Sequence, residues 1–109
     1  MAKVKIVKVT EEKILFGDGS TITFDHERDC CEYNYADFEQ LDDLARSHQF
    51  DTSKMEFVKC GDHGFSFGDN RRMFYVPCYS CQNGYYTSDV DIYFNGKLVL
   101  NITGEWIDG

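Results

Sequence analysis

The predicted fold class depends on one stretch of the chain, Tyr35-Ala36-Asp37-Phe38-Glu39-Gln40-Leu41-Asp42-Asp43-Leu44-Ala45-Arg46. Its apolar side chains at positions 38, 41, 44 and 45 have the three- and four-residue spacing of one helical stripe. Asp37 is placed as an N-cap, and Gln40 is placed three residues later to complete a capping box. The stretch therefore predicts one main α-helix over about residues 36–47.

Strand patterns flank this predicted helix on both sides. Before it, alternating apolar residues predict strands at 4–10, 13–16 and 21–24, and Gly17-Asp18-Gly19-Ser20 predicts a hairpin turn between the last two. After it, strands are predicted at 55–60, 65–67 and 73–76, and Pro77 is expected to end the last because proline cannot donate to the ladder.

The strongest hairpin signal lies near the C-terminal end, where Asn95-Gly96 separates two alternating apolar runs, 89–94 and 97–102. The order of strands, one helix and more strands predicts an α+β domain. We expect a single domain over residues 1–109, with a curved antiparallel sheet and the helix packed on one face.

The charge of the chain narrows the class of partner. The formal net charge is −8, and no stretch concentrates Lys and Arg. Such a chain repels phosphate backbones, so we expect no nucleic-acid ligand. An acidic protein of this size suits a basic protein surface or a small molecule instead.

Cysteine usage and hydropathy indicate a compartment. The chain has five cysteines, an odd number, and Met1-Ala2-Lys3-Val4-Lys5 has no apolar signal core. The apolar runs are too short to span a bilayer, so we expect no membrane partner. We expect a cytoplasmic protein with reduced thiols. Its oligomeric state stays open.

Two short pairs have the spacing of a zinc site. Cys60 and His63 form C-x2-H, Cys78 and Cys81 form C-x2-C, and fourteen residues lie between the two pairs. Tetrahedral zinc is commonly held by two such pairs. The alternative is that Cys60 and Cys78 fill apolar space at strand ends while His63 lies in a solvated turn, because cysteine is among the most buried residue types. We expect no cofactor unless zinc binds here.

The segment before the predicted helix contains the candidate catalytic residues His26, Cys30 and Cys31. A nucleophilic cysteine needs a base or a cationic environment. The nearby acids, Asp29 and Glu32 among them, favour the protonated thiol, so a cysteine nucleophile is less favoured than a binding surface or a zinc site.

A second segment, Cys78 to Ser88, is rich in tyrosine and turn formers, and we expect an ordered loop. Tyrosine is enriched where proteins bind one another. We predict that this loop and the segment before the helix form one binding surface, made of Asp25, His26, Asp29, Glu32, Tyr79, Asn83, Tyr85 and Tyr86.

Asp25-His26-Glu27-Arg28-Asp29-Cys30-Cys31-Glu32, together with Val76-Pro77-Cys78-Tyr79 and Gln82-Asn83-Gly84-Tyr85-Tyr86, resembles a group of small uncharacterised proteins of gut bacteria and their phages and mobile elements. The resemblance implies a small α+β domain with no established activity. It also implies that the Asp-Cys-Cys segment and the Asn-Gly-Tyr-Tyr loop form one surface.

Three hypotheses follow from the sequence. The first is a small acidic binding domain of the cytoplasm of a bacterium or phage-infected host, in one version an inhibitor of a host protein. The second is a zinc-stabilised structural domain. The third is an enzyme that uses His26 with Cys30 or Cys31.

Overall fold

Strands dominate the part of the chain that the computed structural model describes, residues 3–25, 32–69, 72–82 and 89–108. The strands are β1 Ile6–Val9, β2 Lys13–Phe16, β3 Thr21–Asp25, β4 Glu32–Ala36, β5 Glu56–Lys59, β6 Gly64–Gly68, β7 Met73–Gln82, β8 Asp89–Phe94, β9 Lys97–Thr103 and β10 Glu105–Asp108. The helical elements are short: the helix α1 Asp43–Ser47 and two 3₁₀ helices, Phe38–Gln40 and Thr52–Lys54.

The strands form two sheets. The first sheet has the order β1-β2-β3-β8-β9 and is antiparallel throughout. The second has the order β10-β7-β6-β5, and β4 also pairs with β7. β10 runs parallel to β7, whereas the other pairs of the second sheet are antiparallel. Gly104 joins β9 to β10, so the chain passes from one sheet to the other at this residue.

The predicted α+β class with one main helix over residues 36–47 is wrong. Among the described residues, α1 is the longest helix, and it has five residues. The Asp42 side chain accepts a hydrogen bond from the Leu44 backbone N–H at 3.0 Å, so Asp42 is the N-cap of α1. Asp37 is the N-cap residue of the preceding 3₁₀ helix, without a side-chain cap bond. Leu41 before Asp42 is extended, at φ −60° and ψ 134°, and separates the 3₁₀ helix from α1.

The helical stripe was misleading for two reasons. Tyr35 and Ala36 pair with β7 as part of β4, so tertiary hydrogen bonds override local helix preference. Leu44, counted as part of the buried stripe, is 51% exposed. The protein is therefore mostly antiparallel β-structure in two sheets.

Turn chemistry was a better guide than helical periodicity. Asn95 and Gly96 both have positive φ, 52° and 81°, as a two-residue type I′ hairpin requires. They connect β8 and β9 as predicted. Gly19, at φ 88°, allows the predicted turn between β2 and β3.

β7 continues through Pro77, where the sequence analysis predicted that the strand would end and an ordered loop would begin at Cys78. Pairing with β6 ends at this proline, and pairing with β4 begins at the next residue. The Pro77 carbonyl accepts from the Asp37 N–H at 2.9 Å, and the Cys78 N–H donates to the His63 carbonyl at 2.8 Å. The missing N–H of proline is tolerated because it falls where β7 changes partners.

The buried side chains of both sheets and of the segment between β4 and β5 form one core. Its centre is aromatic: Phe50, which hydrogen-bonds through its backbone to Val4, packs edge-on against Phe16 and stacks on Phe67. The other large side chains that are fully buried in the described part of the chain are Phe38, Phe65, Ile14, Ile22, Ile92, Ile102, Val76, Val90 and Cys78.

Candidate functional site

Most members of the predicted binding surface are not among the described residues. His26, Asp29, Asn83, Tyr85 and Tyr86 lie outside them. Asp25 and Glu32 have described backbones, at the end of β3 and the start of β4, but no described side chains. Tyr79 is the member whose side chain is described, and it lies on β7.

The ends of the two predicted segments lie next to each other. Asp25 is paired with Asp91 across β3 and β8, and Glu32 is paired with Gln82 across β4 and β7. Residues 26–31 connect Asp25 to Glu32, and residues 83–88 connect Gln82 to β8. The end of β3 therefore lies beside the start of β8, and the start of β4 lies beside the end of β7, so the two connections start and end next to each other. That they form one surface stays a prediction.

Tyr79 forms an aromatic pair that the sequence analysis did not anticipate. Tyr35 on β4 is its direct partner in the β4–β7 register, and the ring centroids are 5.6 Å apart at 39°. Both rings are partly exposed. The Gln40 Nε2 donates to the Tyr79 hydroxyl oxygen at 3.1 Å and to Asp37 Oδ2 at 2.8 Å, which holds the phenol in place.

Strand alternation puts these two rings on the outer face of β4 and β7, where both are partly exposed and Tyr35 also packs against the edge of the core. Their neighbours Asn34, Ala36, Cys78 and Ser80 are buried on the inner face. There the Ser80 Oγ donates to Asn34 Oδ1 at 2.5 Å, so the buried polar pair is satisfied. The inner face fixes the two strands, and the outer face presents the two rings.

A cleft of about 400 Å³ opens beside Tyr35. Its lining is Glu11, Tyr35, Ala36, Asp37, Glu39 and Gln40. Three of these are carboxylates, and the described lining includes no Lys or Arg. Gln40 connects the cleft to the tyrosine pair through its two hydrogen bonds.

A further carboxylate lies on the other side of Tyr79. Glu105 on β10 is its register partner, so Glu105, Tyr79 and Tyr35 form one row across three strands. Glu105 is exposed. The row thus combines two aromatic faces with a negative charge at one end.

Sequence reasoning missed Tyr35, Glu105 and Glu11 as site residues. It assigned Asp37 to a helix cap. The available signal for Tyr35 was the two-residue alternation of Tyr33-Asn34-Tyr35-Ala36, which is typical of a strand. For Glu105 there was no local signal, because its position depends on the parallel pairing of β10 with β7.

The four predicted zinc ligands are placed as follows. Cys60 is exposed and Cys78 is buried, both with free thiols. The His63 Nδ1 hydrogen-bonds to the Thr103 carbonyl at 2.9 Å. Cys81 belongs to β7, but its side chain is outside the described part of the structure. The zinc site stays a prediction.

Two observations bear on metal binding by the described residues. Burial raises the pKa of the Cys78 thiol to about 12, so this thiol is protonated at neutral pH. Within ranges 3–25, 32–69, 72–82 and 89–108, no three His, Cys, Asp or Glu side chains are grouped closely enough to hold a metal ion. The candidate catalytic residues His26, Cys30 and Cys31 lie outside these ranges.

Comparison with models of protein families, with curated proteins and with solved structures found no match to this chain. None of the helices in the described part of the chain has the length and hydropathy needed to cross a membrane.

Proposed function

We propose that this chain is a protein-binding domain whose contact surface is centred on the Tyr35–Tyr79 pair and accepts a basic polypeptide. The observation that carries the proposal is the pair itself: two partly exposed rings, fixed on the outer face of a sheet, with a hydrogen bond that orients one phenol.

Ordered tyrosines are efficient contact residues. Each combines a large apolar ring with a polar hydroxyl and loses little side-chain entropy on binding. Here the loss is smaller still, because strand pairing and the Gln40 hydrogen bond already restrict the rings. The pair therefore supplies a pre-organised aromatic contact.

The surrounding charges favour a basic partner. Glu105 lies beside the tyrosine row, and Glu11, Asp37 and Glu39 line the adjacent cleft. A guanidinium group stacks on a tyrosine ring and pairs with a carboxylate at the same time. The net charge of −8 attracts a basic protein over a longer range and repels nucleic acid.

One form of this proposal is an inhibitor, encoded by a phage or mobile element, that occupies a basic groove of a host protein. It acts in the cytoplasm of a bacterium or phage-infected cell, which suits the free thiols of Cys60 and Cys78. Its support is the negative charge together with the aromatic row, since an acidic surface complements a groove lined by Arg and Lys.

Selection from a random peptide library displayed on phage tests the proposal directly. The purified chain is immobilised, and the selected peptides are measured again against Tyr35→Ser, Tyr79→Ser and, as a matched control on the first sheet, Leu98→Ser. Leu98 is 59% exposed and lies on β9 of the first sheet, so its replacement removes a surface apolar group that does not belong to the tyrosine row.

We expect the selected peptides to be enriched in Arg and Lys and to bind more weakly at high salt. Each tyrosine replacement should weaken binding about tenfold or more, as for a contact residue worth 1.4 kcal/mol, and Leu98→Ser should not. Selection of neutral or acidic peptides, or equal binding by all variants, would contradict the proposal.

A further inference from the structure

A second exposed feature lies on the same outer face as the tyrosine pair. Six large hydrophobic side chains of the described residues are exposed, and three of them, Val58, Met73 and Tyr75, fall on β5 and β7 of the second sheet. Their exposed fractions are 52%, 37% and 45%. In the register, Val58 is paired with Ser66 and Ser66 with Tyr75, so these residues form one row.

The strand between them carries only small side chains on this face. Gly64, Ser66 and Gly68 occupy the outward positions of β6, while Phe65 and Phe67 point into the core. The Tyr75 ring lies over Gly64. The Met73 Sδ lies over Gly68, 2.9 Å from the position that a Cβ would occupy.

This arrangement produces a low apolar surface. The two β7 side chains lie across β6 because glycine leaves room for them, and Val58 borders the area on the β5 side. Burial is the main cause that raises the pKa of Tyr75, consistent with a ring that lies against the sheet. Clustered exposed apolar groups of this kind mark contact surfaces.

The charged residues described at the outward positions of these strands, Glu56 and Glu105, are both acidic. Glu56 is in register with Gly68 and Met73, and Glu105 is in register with Tyr79. The other described outward positions of these strands are uncharged: Tyr35, Val58, Gly64, Ser66, Gly68, Met73, Tyr75, Pro77 and Tyr79. An occupant with positive charge and apolar side chains therefore complements the face.

The spacing of the two contact areas defines the occupant further. Tyr75 and Tyr79 lie on the same strand four residues apart, so they are separated by about 13 Å. An extended peptide spans the same distance in four residues, and its side chains at those two positions point the same way. Pro77 between them adds no charge.

We propose that the partner presents an extended segment with Arg or Lys at one position and a large apolar residue four positions away. The cation binds at Tyr79, Tyr35 and Glu105, and the apolar side chain binds at Val58, Met73 and Tyr75. This inference rests on the proposed function and adds the form and spacing of the ligand.

Titration of the ¹⁵N-labelled chain with synthetic peptides, followed by amide chemical shifts, tests the spacing. The probes contain Arg and Phe separated by three serines, in both orders. Comparison peptides separate Arg and Phe by one serine, replace Arg by Glu, or replace Phe by Ala. We expect one four-spaced order to bind about tenfold tighter than each comparison peptide, with shifts along β7 and β5.

Two conservative variants test the apolar area. Val58→Thr and Met73→Gln keep the size of the side chain and its place in a strand, and should remove the gain given by Phe. Tyr75 is left unchanged because its ring covers Gly64. Val7→Thr is the matched control, since Val7 is 62% exposed on β1 of the first sheet. Dispersed amide spectra verify that each variant is folded.

The outcomes separate this inference from the proposed function. If Arg-containing peptides bind through the tyrosine pair but spacing and the two variants have no effect, the inference is wrong and the proposed function stands. If no Arg-containing peptide binds, both are wrong. A tenfold preference for four-residue spacing that Val58→Thr abolishes supports both.

Discussion

The Gln40 side chain hydrogen-bonds to the hydroxyl of Tyr79, 39 positions further along the chain, and so joins the 3₁₀ helix to the outer face of β7. Its Nε2 also donates to the Asp37 carboxylate at 2.8 Å. Gln40 itself is exposed. The bond therefore adds little to the core and acts mainly on the orientation of the phenol.

Replacement of Gln40 by Met should weaken binding more than it weakens folding. The variant keeps the length of the side chain and removes both hydrogen bonds. An exposed hydrogen bond contributes about 0.5–1 kcal/mol, so a small loss in the free energy of unfolding is expected in urea. The less restricted Tyr79 ring should reduce affinity for selected basic peptides about fivefold. Gln49→Met, the same replacement at an exposed glutamine outside the cleft and the tyrosine row, is the control. A loss of stability without loss of affinity would contradict this role.

Gly104 should tolerate no side chain. A Cβ at this position would lie 2.7 Å from the Tyr79 carbonyl carbon and 2.9 Å from its oxygen, and both atoms are backbone. Gly104→Ala therefore forces β10 away from β7, and we expect the free energy of unfolding to fall by about 2–3 kcal/mol. Gly19→Ala is the comparison, since it has open space but a φ of 88° and should lose only about 1–2 kcal/mol. Equal unfolding midpoints for the two variants would contradict the close approach.

The Asn95-Gly96 turn could be predicted from the local sequence, whereas the position and length of the helix could not. Asn95-Gly96 determines its own backbone geometry, because both positions need positive φ. The stripe at Phe38, Leu41 and Ala45 is buried as the sequence suggested, but by a broken segment rather than a continuous helix. Asp42 begins a new helix in the middle of the stripe, and periodicity alone does not reveal which acid will cap.

Tyr79 was predicted from the sequence as a site residue, but its neighbours in the row were not. Tyr79 belonged to a tyrosine-rich segment and was singled out for that reason. Its partners Tyr35 and Glu105 come from β4 and β10, which flank β7 on either side. Pro77 was expected to end β7, so the part of the strand that aligns these residues was assigned to a loop. Long-range pairing, which no single stretch of sequence encodes, decided the site.

We expect the free energy of unfolding to fall at acidic pH, and part of this fall should depend on the hydrogen bond from Thr52 to Asp18. The Thr52 hydroxyl donates to Asp18 Oδ2 at 2.6 Å, and this bond is the largest cause that lowers the pKa of Asp18 from its ordinary value of 3.8. A carboxyl group with a lowered folded-state pKa stabilises the protein above its unfolded value, near pH 4, and this contribution is lost as the pH falls through the folded value.

Thr52→Val should therefore lose stability at neutral pH and little at pH 2. Because the pair is exposed, we expect a loss of at most about 0.5–1 kcal/mol at pH 7. Urea unfolding at pH 7, 4 and 2 measures the difference, and Thr52→Ser, which keeps a hydroxyl, is the control. A Thr52→Val effect that stays constant from pH 7 to pH 2 would show that the charge on Asp18 is not involved.

The two described thiols should react at very different rates. Cys78 is fully buried and its pKa is raised to about 12, whereas Cys60 is exposed. Because the thiolate is the reactive form, alkylation with iodoacetamide at pH 8, read by peptide mass spectrometry, should modify Cys60 at least a hundredfold faster. In urea the two rates should converge.

Metal analysis of protein purified without chelator completes the test of the zinc prediction. One zinc per chain, with Cys60 protected until a chelator is added, would support zinc binding and contradict the expected difference in rates.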